Sequence, residues 1–265
     1  MKQWIPFLNR GPLVAIVRLS GSIGAGSRAQ LSDEVMEPLL EKAFKRGKPA
    51  AVALIINSPG GSPVQSSLIA ARIRRLADEK EIPVHAFVED VAASGGYWLA
   101  TAADDIWVDH ASVVGSIGVI SAGFGAPVFL ARQGLERRVH TSVKSKSMLD
   151  PFLPEKEEDV TRLKSILEQM HTTFVEHVTA RRGDKLSGKK DLFTGEFWLG
   201  RRAIELGLVD GAAHPVPKLK ELYGDKVRFA NYGRKRGLLR RFGAELAQDA
   251  IATIEERADY ARFGL

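Results

Sequence analysis

The chain has 265 residues, of which 45% are hydrophobic and 26% charged, a composition that suits a folded globular protein and excludes a disordered or collagen-like one. Its 38 Lys and Arg against 32 Asp and Glu give a net charge of +6, a mild bias toward anionic partners with no site attached to it. Cysteine is absent, which excludes a disulfide framework, a thiolate metal site and a Cys nucleophile.

In chain order, the apolar runs at residues 4–8 and 13–17 stop at Asn9-Arg10 and at Arg18. Both are short of signal-peptide length, so no leader is expected and the expected location is cytoplasmic. Residues 13–19 read as a strand, and 29–46 as a helix with Leu31, Val35, Leu39 and Phe44 on one side and Gly47 as its stop. Residues 51–56 are a near-continuous apolar run, the signature of a strand covered on both faces. That run enters a dense turn signal, Asn57-Ser58-Pro59-Gly60-Gly61-Ser62. Pro63 then opens a helix to about Lys80. Residues 83–88 read as a strand, 94–103 as a short uncharged helix and 106–108 as a strand.

Residues 111–131 carry no charge over 21 residues, long enough to cross a membrane. Four glycines, three serines and Pro127 inside that run read instead as buried strand and turn, with a strand at 118–120. A short helix at 128–133, a strand at 139–143 and a long amphipathic helix at 155–182 follow, the last ended by Gly183. Strands alternating with helices predict an α/β fold with crossover connections. The tail differs in composition. Arg234-Lys235-Arg236 and Arg240-Arg241 form a basic cluster, and residues 244–263 are helix-compatible; this reads as a solvated or subunit-contacting helix, with peripheral contact to an anionic membrane as the alternative. No nucleic-acid motif accompanies the charge, so no nucleic-acid partner is expected.

Three glycine-rich turns carry the candidate chemistry. Gly24-Ala25-Gly26-Ser27-Arg28-Ala29 formally fits a dinucleotide fingerprint. The second long strand, however, ends in Asn57-Ser58 where a ribose-binding carboxylate belongs, so this turn reads as a plain loop; no cofactor and no metal site are expected. In Ser58-Pro59-Gly60-Gly61, consecutive glycines leave backbone N–H groups open to a ligand oxygen, and the following helix N-terminus adds partial positive charge. Oxyanion sites are built in this way. In Ala92-Ala93-Ser94-Gly95-Gly96-Tyr97-Trp98, Ser94 begins an apolar helix among small residues. Alone it reads as a helix N-cap, but an unhindered hydroxyl at a strand-to-helix junction also suits a nucleophile.

A nucleophilic serine needs a base. His171, His177 and His214 read as surface residues, while His85 and His110 at strand positions leave a histidine base open. Lys144 and Lys146 would face the same side of an extended strand. A lysine drawn into an apolar site loses proton affinity and can act as the base; periodicity does not choose between the two.

Taken together and in order, these motifs resemble a known family. They are Asn57-Ser58-Pro59-Gly60-Gly61, Ala93-Ser94-Gly95-Gly96-Tyr97, Gly115-Ser116-Ile117-Gly118-Val119, a Lys144-Ser145-Lys146 segment leading to Pro151-Phe152, and the run from Ala203 to Asp210. The set is similar to the signal peptide peptidase A family, peptidase family S49, and covers about residues 12–225. The resemblance implies an α/β, ClpP/crotonase-like fold of repeated strand-strand-helix units, with the long amphipathic helix and a helical C-terminal tail. It implies a catalytic domain at 1–225 and a basic tail at 226–265.

It also implies a serine endopeptidase with Ser94 as nucleophile, Lys146 as base, Gly61 and Gly95 as oxyanion donors and Ser116 orienting the lysine. Val143 and Ser145 stand where relatives commonly have glycine and tyrosine. The implied substrates are hydrophobic or unfolded peptides such as signal peptide remnants. The implied assembly is a homo-oligomeric ring in which neighbouring subunits complete each site. Two other readings are an acyl-CoA enzyme of the crotonase class, for which Glu89 and Asp90 are the nearby carboxylates, and an inactive membrane-associated scaffold of the same fold.

Overall fold

The computed structural model describes residues 11–25, 31–188, 191–233, 257 and 259–265. The elements run β1 (Leu13–Ser20), α1 (Asp33–Lys45), β2 (Ala51–Ser58), α2 (Pro63–Lys80), β3 (Val84–Ala93) and α3 (Gly95–Ala100). They continue through β4 (Asp105–Val108), β5 (Val113–Gly115), α4 (Pro127–Arg132) and α5 (Glu157–Arg182). The last are β6 (Phe197–Leu199), α6 (Gly200–Glu205), β7 (Gly211–Ala212), α7 (Pro215–Tyr223) and β8 (Arg228–Tyr232).

Among the described residues, eight strands form a single sheet in the order β6-β5-β3-β2-β1-β8, with β4 and β7 joined to it through β3. All pairings are parallel except β5 with β6, as helical crossovers require. β3 serves two neighbours: residues 85–88 pair with β4, and residues 91–93 pair with β5. The sheet therefore forks just ahead of Ser94.

Both faces of the sheet are covered. Val17 and Leu19 of β1 and Val52, Leu54 and Ile56 of β2 pack with Met36 and Leu40 of α1 and Ile69, Ile73 and Leu76 of α2 on one side. Alternate residues Val14, Ala53 and Ile55 meet Leu219 of α7 on the other. Each fully buried aliphatic side chain contributes about 1.5–3 kcal/mol. The helices start where their caps dictate. Ser32 accepts from the Val35 N–H ahead of Asp33 and Glu34, and Ser62 accepts from the Gln65 N–H ahead of Pro63, so orphan donors at both helix starts are satisfied. Glu81, at φ +53°, closes α2 in the left-handed conformation.

Several expectations are corrected. Residues 118–120 and 139–143 form no strand, because no neighbouring backbone edge among the described residues pairs with them. The uncharged run is buried at Val113–Gly115 but mostly exposed from Ile120 onward, with Phe124 97% exposed, so its second half is not core. β8 lies past residue 225 and pairs with β1 at the sheet edge. The basic cluster and most of the 244–263 helix lie outside the described residues. Among the described residues, no helix is long and apolar enough to cross a membrane.

Candidate active site

Two glycine turns at the carboxyl ends of β2 and β3 interlock. Gly60 and Gly61 have φ of +105° and +139°, open to glycine at no steric cost. A Cβ on Gly61 would lie 2.0 Å from Ile23 O, and one on Gly96 would lie 2.3 Å from Ser58 O. Neither turn can carry a side chain there. Ser58, buried between them, donates its hydroxyl to Gly21 O at 2.7 Å and accepts the Gly60 N–H at 3.3 Å.

Ser94 stands at the junction with φ +51° and ψ −120° and makes no side-chain capping bond. Ser94 therefore holds the N-cap position of α3 without using its hydroxyl as a cap. Such a backbone conformation costs about 1–3 kcal/mol and persists only where the surroundings over-determine it. Here they do: the Ser94 N–H donates to Gly115 O at 2.8 Å, the Trp98 N–H donates to Ser94 O at 3.0 Å, and a Cβ on Gly60 would lie 2.9 Å from the Ser94 Cβ. Ser94 is half-buried and lines a cleft of about 260 Å³, and its hydroxyl has no hydrogen-bond partner among the described residues.

The N–H groups of Gly61 and Gly95 meet no acceptor among the described residues. They are close together, since a Cβ on Gly95 would lie 3.4 Å from the Gly61 nitrogen. Ser116, at φ +52°, lines the same cleft and is held by its N–H bond to Glu196 O at 2.7 Å. A hydroxyl beside two open N–H donors can attack a carbonyl and hold the oxyanion that forms.

The structure therefore brings Ser94, Gly61, Gly95 and Ser116 together. It does not bring Lys146 to them: Lys146 is exposed, in the turns of residues 142–149, and is not among the cleft-lining residues. Lys144 is exposed and bonds Glu158 at 2.7 Å. That bond and the carboxylate charge hold its ammonium above the ordinary lysine range, the wrong direction for a base.

No histidine lines the cleft. His110 is exposed. His85 sits at the opposite end of β3, nine residues and about 30 Å from Ser94 along the strand, held between Asp105 at 2.8 Å and Tyr223 at 2.7 Å. Among the described residues, no group of His, Asp and Glu is placed to hold a metal ion.

Other residues fix the site in roles the sequence reading did not assign. The Tyr97 phenol, directly after Gly95-Gly96, donates to Leu208 O at 2.7 Å, and burial pushes its pKa up. Arg182, 4% exposed at the end of α5, bonds Gly207 O and Asp210. Burial alone would raise the Asp210 pKa; the bonds from Arg182 and Lys185 outweigh it and hold the carboxyl low. The run from Ala203 to Asp210 thus anchors α3 from behind. His177 is not a free surface residue. It stacks on Trp98 at 4.4 Å, lies 2.9 Å from Thr101 Oγ1, and burial lowers its pKa to about 4. Asp259, Arg262 and Phe263 also line the cleft. Aromatic Tyr260 and Phe263 within a charged tail were the sequence signal for that packing.

Comparison with known proteins adds three findings. The profile of peptidase family S49 matches residues 77–215. Among curated relatives, a Na(+)/H(+) antiporter NhaA of Brucella melitensis biotype 1 is 46% identical over 95% of this chain, which spans 37% of that protein's length. A putative signal peptide peptidase SppA of Enterococcus faecium is 28% identical over 80% of this chain and 61% of its own length. Among solved structures, a lysine-to-alanine mutant of the 1510-N membrane-bound stomatin-specific protease in complex with a substrate peptide aligns with TM-score 0.54 and 13% identity. The alignment covers 92% of this chain and 98% of that one; the likeness is one of fold.

Proposed function

The chain belongs to peptidase family S49 and has its ClpP/crotonase-like α/β fold; on that premise we propose that it is a serine endopeptidase working through a Ser94–Lys146 dyad. The observation that carries the reading is the Ser94 hydroxyl, uncapped and strained at φ +51° beside the open N–H groups of Gly61 and Gly95. Neutral Lys146 takes the Ser94 proton while Oγ attacks the peptide carbonyl. The oxyanion is held by Gly61 and Gly95, and Ser116 orients the amine. Lys146 then protonates the leaving amine, and water hydrolyses the acyl-enzyme by the same route.

Lys146 is exposed within a single chain, whereas a lysine base works from an enclosed, desolvated site. The proposal therefore includes a homo-oligomeric ring in which a neighbouring copy encloses the lysine and completes the site. The exposed Ile120, Phe124, Val128, Phe129, Leu135 and Val143 give the segment carrying Lys146 an apolar surface that association would bury. Val119, Ile120 and Phe263 along the cleft suit hydrophobic or unfolded peptides, signal peptide remnants among them, bound extended. The crotonase-class reading needs a free carboxylate beside the turns, but Glu89 is paired with Arg18, and Asp90 accepts from Asn57 at 2.6 Å.

The test is cleavage of a fluorogenic apolar peptide. Ser94→Ala and Lys146→Met are each expected to lose on the order of a thousandfold or more in kcat while remaining folded. Wild-type rates from Ser94→Ala would sink the dyad assignment, and no cleavage by the wild type itself would leave the scaffold alternative. Release of the protein from membranes by salt would mark a peripheral contact of the basic tail.

A further inference from the structure

The C-terminal residues give the cleft a charged wall that the dyad chemistry does not use. Residues 259–265 pack onto the turns after β1 and β2 and onto the end of β3. Ser22 Oγ donates to Asp259 Oδ2 at 2.8 Å, and the Tyr260 hydroxyl donates to Asn57 O at 2.7 Å. Phe263 packs with Val91, Ala93 and Val113 and stands edge-on to Phe197, ring centroids 5.3 Å apart. Phe197 opens β6, directly after the loop that lines the cleft with Thr194 and Gly195. Phe263 thus ties the C-terminal segment to the far side of the cleft and fixes the residue before it.

That residue, Arg262, lines the same cleft as Ser94 and Gly61. Its guanidinium lies 6.0 Å from the Phe263 ring, and no carboxylate is paired with it among the described residues. The nearest acidic residue in sequence, Asp259, is engaged by Ser22. A permanently charged, planar donor fork at the mouth of a peptide cleft matches a carboxylate. Resting on the peptidase reading, we infer that Arg262 is a specificity-determining residue that selects peptides carrying a carboxylate within reach of the cleft, on an acidic side chain or at a free C-terminus.

Four fluorogenic apolar peptides test this, with or without one Glu and with a free or amidated C-terminus. Wild type is expected to show kcat/KM about two- to fivefold higher for carboxylate-bearing peptides than for the neutral amide, the range of an exposed ion pair, with the preference shrinking in salt. Arg262→Ala should erase the preference by slowing only the carboxylate peptides, and Arg262→Lys should keep part of it. A preference that survives amidation assigns the acidic side chain; one that amidation removes assigns the terminus. Equal effects of Arg262→Ala on all four peptides, or none, overturn the inference.

Anisotropy of the same peptides bound to Ser94→Ala separates the two readings. Preferential binding without cleavage by wild type would sink the peptidase and keep the carboxylate site, whereas cleavage without preference would sink Arg262 alone. Because Arg262 is exposed, its variants retain the fold, which circular dichroism checks.

Discussion

Around Ser94 each neighbour is in place: Gly60 against its Cβ, Gly115 O accepting its N–H, Gly96 against Ser58 O. In the segment carrying Lys146, the same chain leaves Phe124 97% exposed and Val143 61% exposed. The first region is held by the sheet, and strain there is sustained by packing. The second has an apolar surface left exposed among the described residues, and such a surface marks a site of contact with another molecule. On the proposed mechanism, the contrast means that nucleophile and oxyanion site are finished by folding, whereas the base waits on assembly.

Mixing two inactive variants would break or sharpen that contrast most. In a ring where the lysine crosses to a neighbour, Ser94→Ala and Lys146→Met protomers combined in equal amounts should recover about a quarter of the wild-type rate, the fraction of sites pairing an intact serine with an intact lysine. A lysine acting within its own chain would leave the mixture dead. Sedimentation velocity, run alongside, shows whether mixed assemblies form.

The next effect compares one glycine from each region. Gly61→Ala sets a Cβ 2.0 Å from Ile23 O at φ +139°, so a loss of about 3 kcal/mol or more in urea unfolding is expected, with peptide cleavage falling alongside. Gly123→Ala adds a Cβ with nothing within 4 Å, and its unfolding midpoint should move by no more than about 0.5 kcal/mol. Equal costs at the two positions would mean that the regions are not built differently.

The same contrast explains what the sequence disclosed. Residues 51–56 were legible as a buried strand because covering both faces leaves no polar position in the run, and Gly60-Gly61 and Gly95-Gly96 were legible because backbones that press together admit nothing else. Residues 139–143 were misread because β-branched composition makes a strand only where a partner edge exists, and the fold offers them none. The roles of Tyr97, Arg182 and Asp210 were missed because the Tyr97–Leu208 bond spans 111 positions and the Arg182–Asp210 pair spans 28, separations that no local pattern records. Asp259, Arg262 and Phe263 reach the cleft by the same kind of long-range return.

A smaller effect lies behind α3. His177 has its pKa lowered to about 4 by burial, with Arg181 adding to the shift, against about 6.5 in an unfolded chain. As pH falls from about 6.5 toward 4 the unfolded state binds the proton first, so the stability present above pH 6.5 is progressively lost. The ring is part-exposed, so the full linkage value is discounted for solvent screening to about 1–2 kcal/mol. His177→Phe keeps a ring on Trp98 and should flatten that slope in urea unfolding at pH 7.5 and 4.5; an unchanged slope would place the acid sensitivity elsewhere.

The smallest expected effect belongs to Lys144, and it discriminates between the two lysines. Its ammonium is bound to the Glu158 carboxylate, and both pKa values are displaced toward the charged forms, so Lys144 is the member of the pair that a base mechanism cannot use as it stands. Lys144→Met should leave cleavage within about twofold of wild type, since an exposed pair of this kind contributes little. Loss of turnover in Lys144→Met together with normal cleavage by Lys146→Met would transfer the base to Lys144. In that case assembly would have to pull Glu158 away from it, and Glu158→Gln, which frees Lys144 without assembly, would raise the rate.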